Sequence, residues 1–216
     1  MRNFIKTAAL AAMLLAPGAA QAAVFDAAAD FSLASNPNSP WSYGYSTTLG
    51  GAFNLYDAVF AVNSPTNNSW GKAGEPFLLA GKTVGAYLHP GNDGEVSIFR
   101  FTAPAVDTYS LSVQFLDADS ATTDVHVRRN NISLFTGAIT DDTSINFTAT
   151  LNLAANEIID FAAGFGSNGN HFFDSTSLVA TLRTPDNNST AVPEPMTLSL
   201  LGAGLLGLGA MRHRRR

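Results

Sequence analysis

Three histidines lie in the central part of the chain, and no two of them have the spacing of a metal-binding pair. His126 lies two residues from both Asp124 and Arg128 in a predicted strand, so we expect the three to share a solvated polar face. His171 ends a glycine- and asparagine-rich loop, and such loops either bind ligands or simply connect strands. His89 precedes a proline, which predicts a structural turn position at the end of a strand.

No pattern of catalytic residues is present. The sequence has no G-x-S-x-G nucleophile elbow, and nothing singles out a pair of carboxylates for glycoside hydrolysis. The segment 202–207 matches G-x-G-x-x-G, but only nine residues follow it, which is too few for a dinucleotide-binding unit. The absence of cysteine excludes disulfides, thiolate metal sites and cysteine nucleophiles. We therefore predict that the protein is not an enzyme.

Aromatic side chains offer a second kind of chemistry, because a sugar ring stacks on an exposed aromatic face flanked by hydrogen-bonding groups. Alternation places three aromatic residues of segment 41–45 on one face of a strand, where they form either a sugar-binding surface or a wall of the core. A tryptophan next to Asn67, Asn68 and Ser69 is the better candidate for an exposed ring. With two polar residues of the glycine-rich loop, the candidate glycan-binding residues are Trp41, Tyr43, Tyr45, Trp70, Asn168 and His171.

Calcium is the ion that this sequence favours, because hard cations take carboxylate, amide and carbonyl oxygens. Four aspartates are candidate ligands if the first and last strands of the domain lie together: Asp26, Asp30, Asp160 and Asp174. The alternative is that these are ordinary exposed acids, with Asp174 hydrogen-bonded in a turn. There is no EF-hand spacing.

The elements that must position these residues are strands. Apolar and polar residues alternate in segments 109–115, 123–128 and 145–151, as in strands with one face on a core and the other in water. Turn residues, including Asn130-Asn131, separate such segments at roughly 8–12-residue intervals. The prediction is an all-β domain over residues 23–183, a two-sheet antiparallel β-sandwich (jelly roll) of nine or ten strands.

The charge of the central region limits its partners. Residues 23–192 contain six basic and sixteen acidic side chains, a net charge of −10, although the whole chain carries only −5. Such a charge repels phosphate backbones, so nucleic-acid binding is not expected. Cations, neutral polysaccharides or a basic partner fit it better.

The N-terminus has the pattern of a secretory signal peptide over residues 1–22, which we expect to be helical. Arg2 and Lys6 form the basic region, residues 7–16 the apolar core, and Ala20 and Ala22 the small-x-small cleavage site. The secretion translocon and signal peptidase are the expected partners, and the mature chain begins near residue 23.

The C-terminus has three successive features after a polar linker at 184–192. They are the motif Pro193-Glu194-Pro195, an apolar run over 196–211, and a basic tail with Arg212, Arg214, Arg215 and Arg216. As a helix the run would be ~24 Å long against a hydrocarbon core of ~30 Å, a short transmembrane span that brings this segment into contact with the membrane. The arginines keep that end cytoplasmic and place the domain outside.

This C-terminal arrangement resembles the PEP-CTERM sorting signal of Gram-negative bacteria, covering residues 193–216. The resemblance implies recognition of the Pro-Glu-Pro motif by an exosortase, a membrane protease and transpeptidase. It further implies removal of the span after an inner-membrane intermediate, and delivery to the cell surface or extracellular matrix. The alternative is that the span remains as a permanent anchor.

Residues 88–182 also resemble a β-sandwich module found with this signal and similar to jelly-roll carbohydrate-binding modules. The resemblance is carried by the segments 88–91, 99–104, 123–127, 159–161 and 173–176. Together the two resemblances imply an exported, exopolysaccharide-associated protein with a structural or weak glycan-binding domain. A secreted polysaccharide hydrolase and a self-assembling surface subunit are the alternatives.

Overall fold

The computed structural model describes residues 22–61, 68–82 and 85–186. Residues Ala23–Pro185 form one compact unit that contains every described strand and its own hydrophobic core, so we expect it to fold by itself. Signal-peptide residues 1–21 with Ala20, most of the linker, and the sorting signal from Pro193 to Arg216 lie outside the described residues. Within the described ranges, no helix is long and apolar enough to cross a membrane.

Fourteen strands make up the described part of the chain. In order they are β1 (Val24–Asp26), β2 (Trp41–Ser46), β3 (Asn54–Leu55), β4 (Ala58–Ala61), β5 (Asn68–Lys72), β6 (Glu75–Lys82), β7 (Ala86–His89), β8 (Val96–Thr102), β9 (Asp107–Asp117), β10 (Asp124–Arg129), β11 (Ile132–Ala138), β12 (Ser144–Leu153), β13 (Ile158–Gly164) and β14 (Thr176–Arg183).

The strands form two antiparallel sheets. The eight-stranded sheet has the order β12-β9-β14-β7-β6-β5-β4, with β1 also paired to β14, and the six-stranded sheet has the order β11-β10-β13-β8-β2-β3. The first and last strands are neighbours, since Val24 pairs with Arg183. The all-β, two-sheet sandwich expected from the alternating segments is therefore confirmed.

Alternation decides which side chains enter the core. In β9, Tyr109, Leu111, Val113 and Phe115 are buried between the sheets, while the serines between them are exposed. The turn after β10 is also as expected, because Asn130 and Asn131 adopt positive φ values of 44° and 71°. Asparagine tolerates this left-handed backbone better than most residues, which makes the tight connection to β11 inexpensive.

Candidate functional site

The aromatic side chains of β2 belong to the core. Trp41 and Tyr43 are fully buried, and their rings pack edge-on against Phe101 and Phe99. Tyr45 is partly buried and lies beneath the Lys72 ammonium, 5.4 Å from its ring centroid. Of the two alternatives for this strand, the core wall is the correct one, because the face with three large rings is what the sandwich buries.

Trp70 is not the exposed ring that its polar neighbours predict. It is partly buried against the core, and its indole Nε1 donates a hydrogen bond to the Ser32 carbonyl oxygen at 2.8 Å. In β5 this side chain points inward, opposite Ala80 of β6. The local sequence is polar because Asn68 is at the strand end and Ser69 faces the other side of the sheet.

A pocket of about 450 Å³ lies on the outer face of the eight-stranded sheet. Alternation creates it: Leu78 and Leu88 point into the core, so the residues beside them in β6 and β7 point outward. The residues lining it are Phe60, Pro76, Phe77, Leu79, Tyr87, His89, Asp119, His171, Phe172, Phe173 and Ser175. Three of the phenylalanines are unusually exposed, Phe77 at 47%, Phe172 at 63% and Phe173 at 69%.

Glycine keeps the sheet side of this pocket open. A Cβ atom on Gly71 would lie 2.8 Å from side-chain carbons of both Leu79 and Phe60. A Cβ atom on Gly81 would lie 2.7 Å from the Tyr87 ring. Side chains at these two positions would displace the aromatic and aliphatic groups that line the pocket, so the site needs glycine for close approach.

The opposite wall is the loop between β13 and β14, which begins with a 3₁₀ turn at Gly166–Asn168. Buried Asp174 holds the end of the loop, because its Oδ1 accepts hydrogen bonds from the Thr122 backbone N–H at 3.1 Å and hydroxyl at 3.2 Å. Burial raises the pKa of this carboxyl group. Phe173 adopts a left-handed φ of 61°, an uncommon conformation for a bulky residue that turns its ring toward solvent.

Two histidines are among the polar residues that line the pocket. His89 Nδ1 lies 2.8 Å from the Pro90 carbonyl oxygen, which can only accept, so Nδ1 carries the proton and Nε2 of the neutral ring is an acceptor. Burial lowers the pKa of His89 and favours this neutral form, although nearby Asp119 and Asp174 oppose the shift. His171 packs between Phe77 (5.0 Å) and Phe172 (4.4 Å), and its buried Nε2 has no hydrogen-bond partner among the described residues.

Asn168 lies elsewhere. It lines a second pocket of about 430 Å³ beside Asp124 and Gly166, and its side-chain amide donates to the Thr122 hydroxyl. The two polar loop residues expected to act together are thus separated, with His171 alone in the aromatic pocket. His126, expected to be solvated, is buried. Its Nε2 lies 2.7 Å from Asp124 Oδ2, and its Nδ1 contacts the Thr136 hydroxyl.

The four aspartates predicted as calcium ligands do not form one site. Asp160 is paired with Arg100 through two hydrogen bonds of 2.7 and 2.8 Å. Asp26 and Asp30 are neighbours, but Asp26 Oδ1 accepts the N–H groups of residues 28 and 29, and Asp30 Oδ2 accepts the Trp41 indole N–H. These carboxylates are used in hydrogen bonds that hold the fold, so they do not fit a common calcium site.

Two other acidic clusters exist in the described residues, and in each of them neighbouring groups of the protein already bind carboxylates. In the first, Lys72 contacts the carboxylates of Glu75 and Glu95. In the second, backbone N–H groups of its own loops, including those of Ala121 and Asp142, bind the Asp117 carboxylate and lower its pKa despite partial burial.

Sequence reasoning missed the phenylalanines of the pocket. A usable signal was present for Phe172 and Phe173, because two adjacent aromatic residues follow directly on a polar, glycine-rich loop. Phe77 gave no such signal, since it sits at the start of an apolar strand like any core residue.

Residues 191–216 match the family model of the PEP-CTERM protein-sorting motif. This confirms the resemblance of the C-terminus and indicates an exported protein with a C-terminal membrane-anchoring signal. No curated protein matches the sequence significantly.

Several solved structures of carbohydrate-binding modules are similar to this chain. A family 35 module from Clostridium thermocellum has 12% identity and a TM-score of 0.34, covering 75% of this chain and 98% of its own. A family 36 module in complex with calcium and xylotriose has 16% identity and a TM-score of 0.33, with coverages of 49% and 87%. A family 51 module from Clostridium perfringens in complex with methyl-galactose has 15% identity and a TM-score of 0.35, with coverages of 60% and 94%. Values this low do not transfer a ligand or a binding face to this chain.

Proposed function

We propose that this exported protein is delivered to the cell surface or extracellular matrix, where its aromatic pocket binds a neutral polysaccharide. The observation that carries the proposal is the exposure of three phenylalanine rings, at 47%, 63% and 69%, around one pocket that also contains two histidines and a carboxylate. Exposed apolar surface beside a few polar groups is typical of a binding site on a soluble domain.

The apolar part of the pocket suits the C–H faces of sugar rings. Phe77 is attached to a strand, whereas Phe172 and Phe173 come from the facing loop, so a sugar chain could contact rings on two sides. Large aromatic faces give most of the contact area in such sites, while a few polar groups set orientation.

The polar part suits hydroxyl groups. His89 offers an acceptor at Nε2, and Asp119 offers a carboxylate that already accepts a hydrogen bond from the Ser175 backbone N–H. Asp119 is the single carboxylate among the described residues that line the pocket, whereas glycoside hydrolysis uses two. The site therefore supports binding better than cleavage, and the net charge of −10 favours neutral over acidic chains.

Processing by an exosortase is the second part of the proposal. It rests on the match of residues 191–216 to the sorting motif. We expect extracellular protein to lack residues 196–211 when its mass is measured, and we expect Glu194→Ala to leave unprocessed chain in the inner-membrane fraction. Recovery of the intact apolar run from the extracellular protein of a strain with active exosortase would overturn processing, while the pocket proposal would stand.

Binding is tested with the unit 23–185, screened against neutral and acidic polysaccharides and then measured by titration calorimetry. A phenylalanine buries about 200 Å² at most, so half-exposed Phe77 offers about 50 Å² on one face, worth about 1.2 kcal/mol. Phe77→Ala should therefore weaken binding roughly eightfold. Val106→Ala is the matched control, because Val106 is 77% exposed and lies outside the pocket. Equal affinities for Phe77→Ala and the control would refute this site.

A further inference from the structure

The terminal strand of the eight-stranded sheet has an unusually open edge. β12 is ten residues long and pairs with β9 in an unbroken register from Ser144–Leu116 to Leu153–Asp107. It has no strand neighbour on its other side within the described residues. Alternate N–H and C=O groups along that side can therefore bind another strand.

The direction of these groups can be read from two contacts. The Thr143 carbonyl accepts a hydrogen bond from Asp117 at the end of β9, whereas the Asn152 carbonyl accepts one from Arg129 outside the sheet. The N–H and C=O groups of successive residues in a strand point to opposite sides, so those of the even-numbered residues of β12 point to the open edge. At Asn146, Thr148 and Thr150 no described strand binds these groups.

The usual protection of such an edge is missing along its central residues, Asn146 to Thr150, although the Arg129 side chain covers the Asn152 carbonyl near its end. β12 contains no charged residue, no proline and no register shift. It is also ten residues long, whereas protected edge strands are often very short. β11, the terminal strand of the other sheet, lies beneath β12, and the ring centroids of Phe135 and Phe147 are 5.2 Å apart in a stacked pair. β11 also contains no charged residue. On the far side, terminal strand β3 has two residues and the described part of terminal strand β4 has four.

We propose that β12 pairs antiparallel with β12 of a second copy of this chain, around a two-fold axis at Thr148. Two residues that lie opposite each other in an antiparallel pair point to the same face of the sheet. The exposed residues of β12 are even-numbered, so the exposed faces of the two copies are continuous only if the residue numbers of each pair add to an even sum. An axis at Thr148 satisfies that condition. It places Asn146 opposite Thr150 on the exposed face, and Ile145 opposite Leu151 on the half-buried face. Phe147 then faces the small Ala149 of the second copy.

Charge also selects this edge as the point of contact. Two copies with a net charge of −10 each repel one another over most of their surface. The closest acid in sequence, Asp142, would face Ala154 of the second copy, so no two acids oppose each other along the pair. The product is a symmetric dimer with one continuous sheet across both copies.

The test uses two charge variants that differ in one residue. In the proposed register, N146K/T150K puts lysine opposite lysine at two places, whereas N146K/T150E puts lysine opposite glutamate at the same places. Both positions are exposed, and both variants should keep the circular dichroism spectrum and thermal unfolding of the parent.

Sedimentation velocity of the unit 23–185 over a concentration series gives the dimer dissociation constant. We expect a dimer for the parent and for N146K/T150E, and about tenfold weaker association for N146K/T150K. A parent that stays monomeric up to about 1 mM would overturn the proposal. Equal weakening by the two variants would overturn it too, because the register would then be wrong.

Discussion

Two glycines of the β13–β14 loop should respond very differently to the same substitution. Gly166 and Gly169 both adopt left-handed φ values, 70° and 68°. A Cβ atom on Gly166 would lie 1.9 Å from the Thr122 carbonyl oxygen, whereas one on Gly169 would meet no atom of the described residues within 4 Å. Alanine at either position pays the same backbone penalty, but only Gly166→Ala forces the loop and the Thr122 backbone apart.

The expected losses follow from these contacts. Placing alanine in the left-handed region costs about 1 kcal/mol at each position. At residue 166 the overlap adds about 1–3 kcal/mol, and displacement weakens the 2.8 Å hydrogen bond from the Gly166 N–H to Asp124, worth about 1 kcal/mol. We expect Gly166→Ala to lose about 3–5 kcal/mol of unfolding free energy and Gly169→Ala about 1 kcal/mol.

Urea denaturation of the unit 23–185 measures both values. Thermal unfolding should show a drop of about 10 °C for Gly166→Ala and about 3 °C for Gly169→Ala. The first variant should also bind polysaccharide more weakly, because the loop it displaces carries His171. Equal losses of stability would refute the contact between Gly166 and Thr122 on which the reasoning depends.

Three further outcomes are expected. Asp160→Asn should cost about 2–3 kcal/mol in urea denaturation, because it leaves Arg100 without its two-point partner, while R100M/D160L should recover most of the loss. Asp124→Asn should cost about 1–2 kcal/mol at pH 7. The hydrogen bond from His126 holds the pKa of Asp124 below its usual range. The ionised Asp124 carboxylate therefore stabilises the fold above about pH 4, and this stabilisation is lost as the pH falls through the folded-state pKa. The unfolding free energies of variant and parent should accordingly converge in acid. Chelation of calcium should change polysaccharide affinity by less than about twofold in calorimetry, because a pocket with one carboxylate is a poor calcium site.

The sandwich was predictable because alternation is a local property. The spacing of Tyr109, Leu111, Val113 and Phe115 is enough to assign β9 and its buried face, and the turn at residues 130–131 needs only the tolerance of asparagine for positive φ. The sorting motif is also local, since its three features follow one another in the sequence.

The pocket was not predictable because it depends on which elements meet. Phe77 lies in β6 and Phe172 in a loop almost a hundred residues later, and their approach is set by the β7–β14 pairing between them. Periodicity also cannot tell which face of a strand is covered from outside. Trp41 lies on a strand face that the core covers. His126 lies on an outer face, where Asp124 and Thr136 cover a ring that was expected to be solvated.

The position of β14 has a mechanical consequence for a chain that is held by its C-terminus. This strand is bonded along its whole length to β9, and on its other side first to β7 and then to β1. A pull along the strand axis at residue 185 loads these ladders together in shear, so many hydrogen bonds must break at once. Force applied to the domain from its C-terminal end would therefore have to break both ladders together before the sandwich opened.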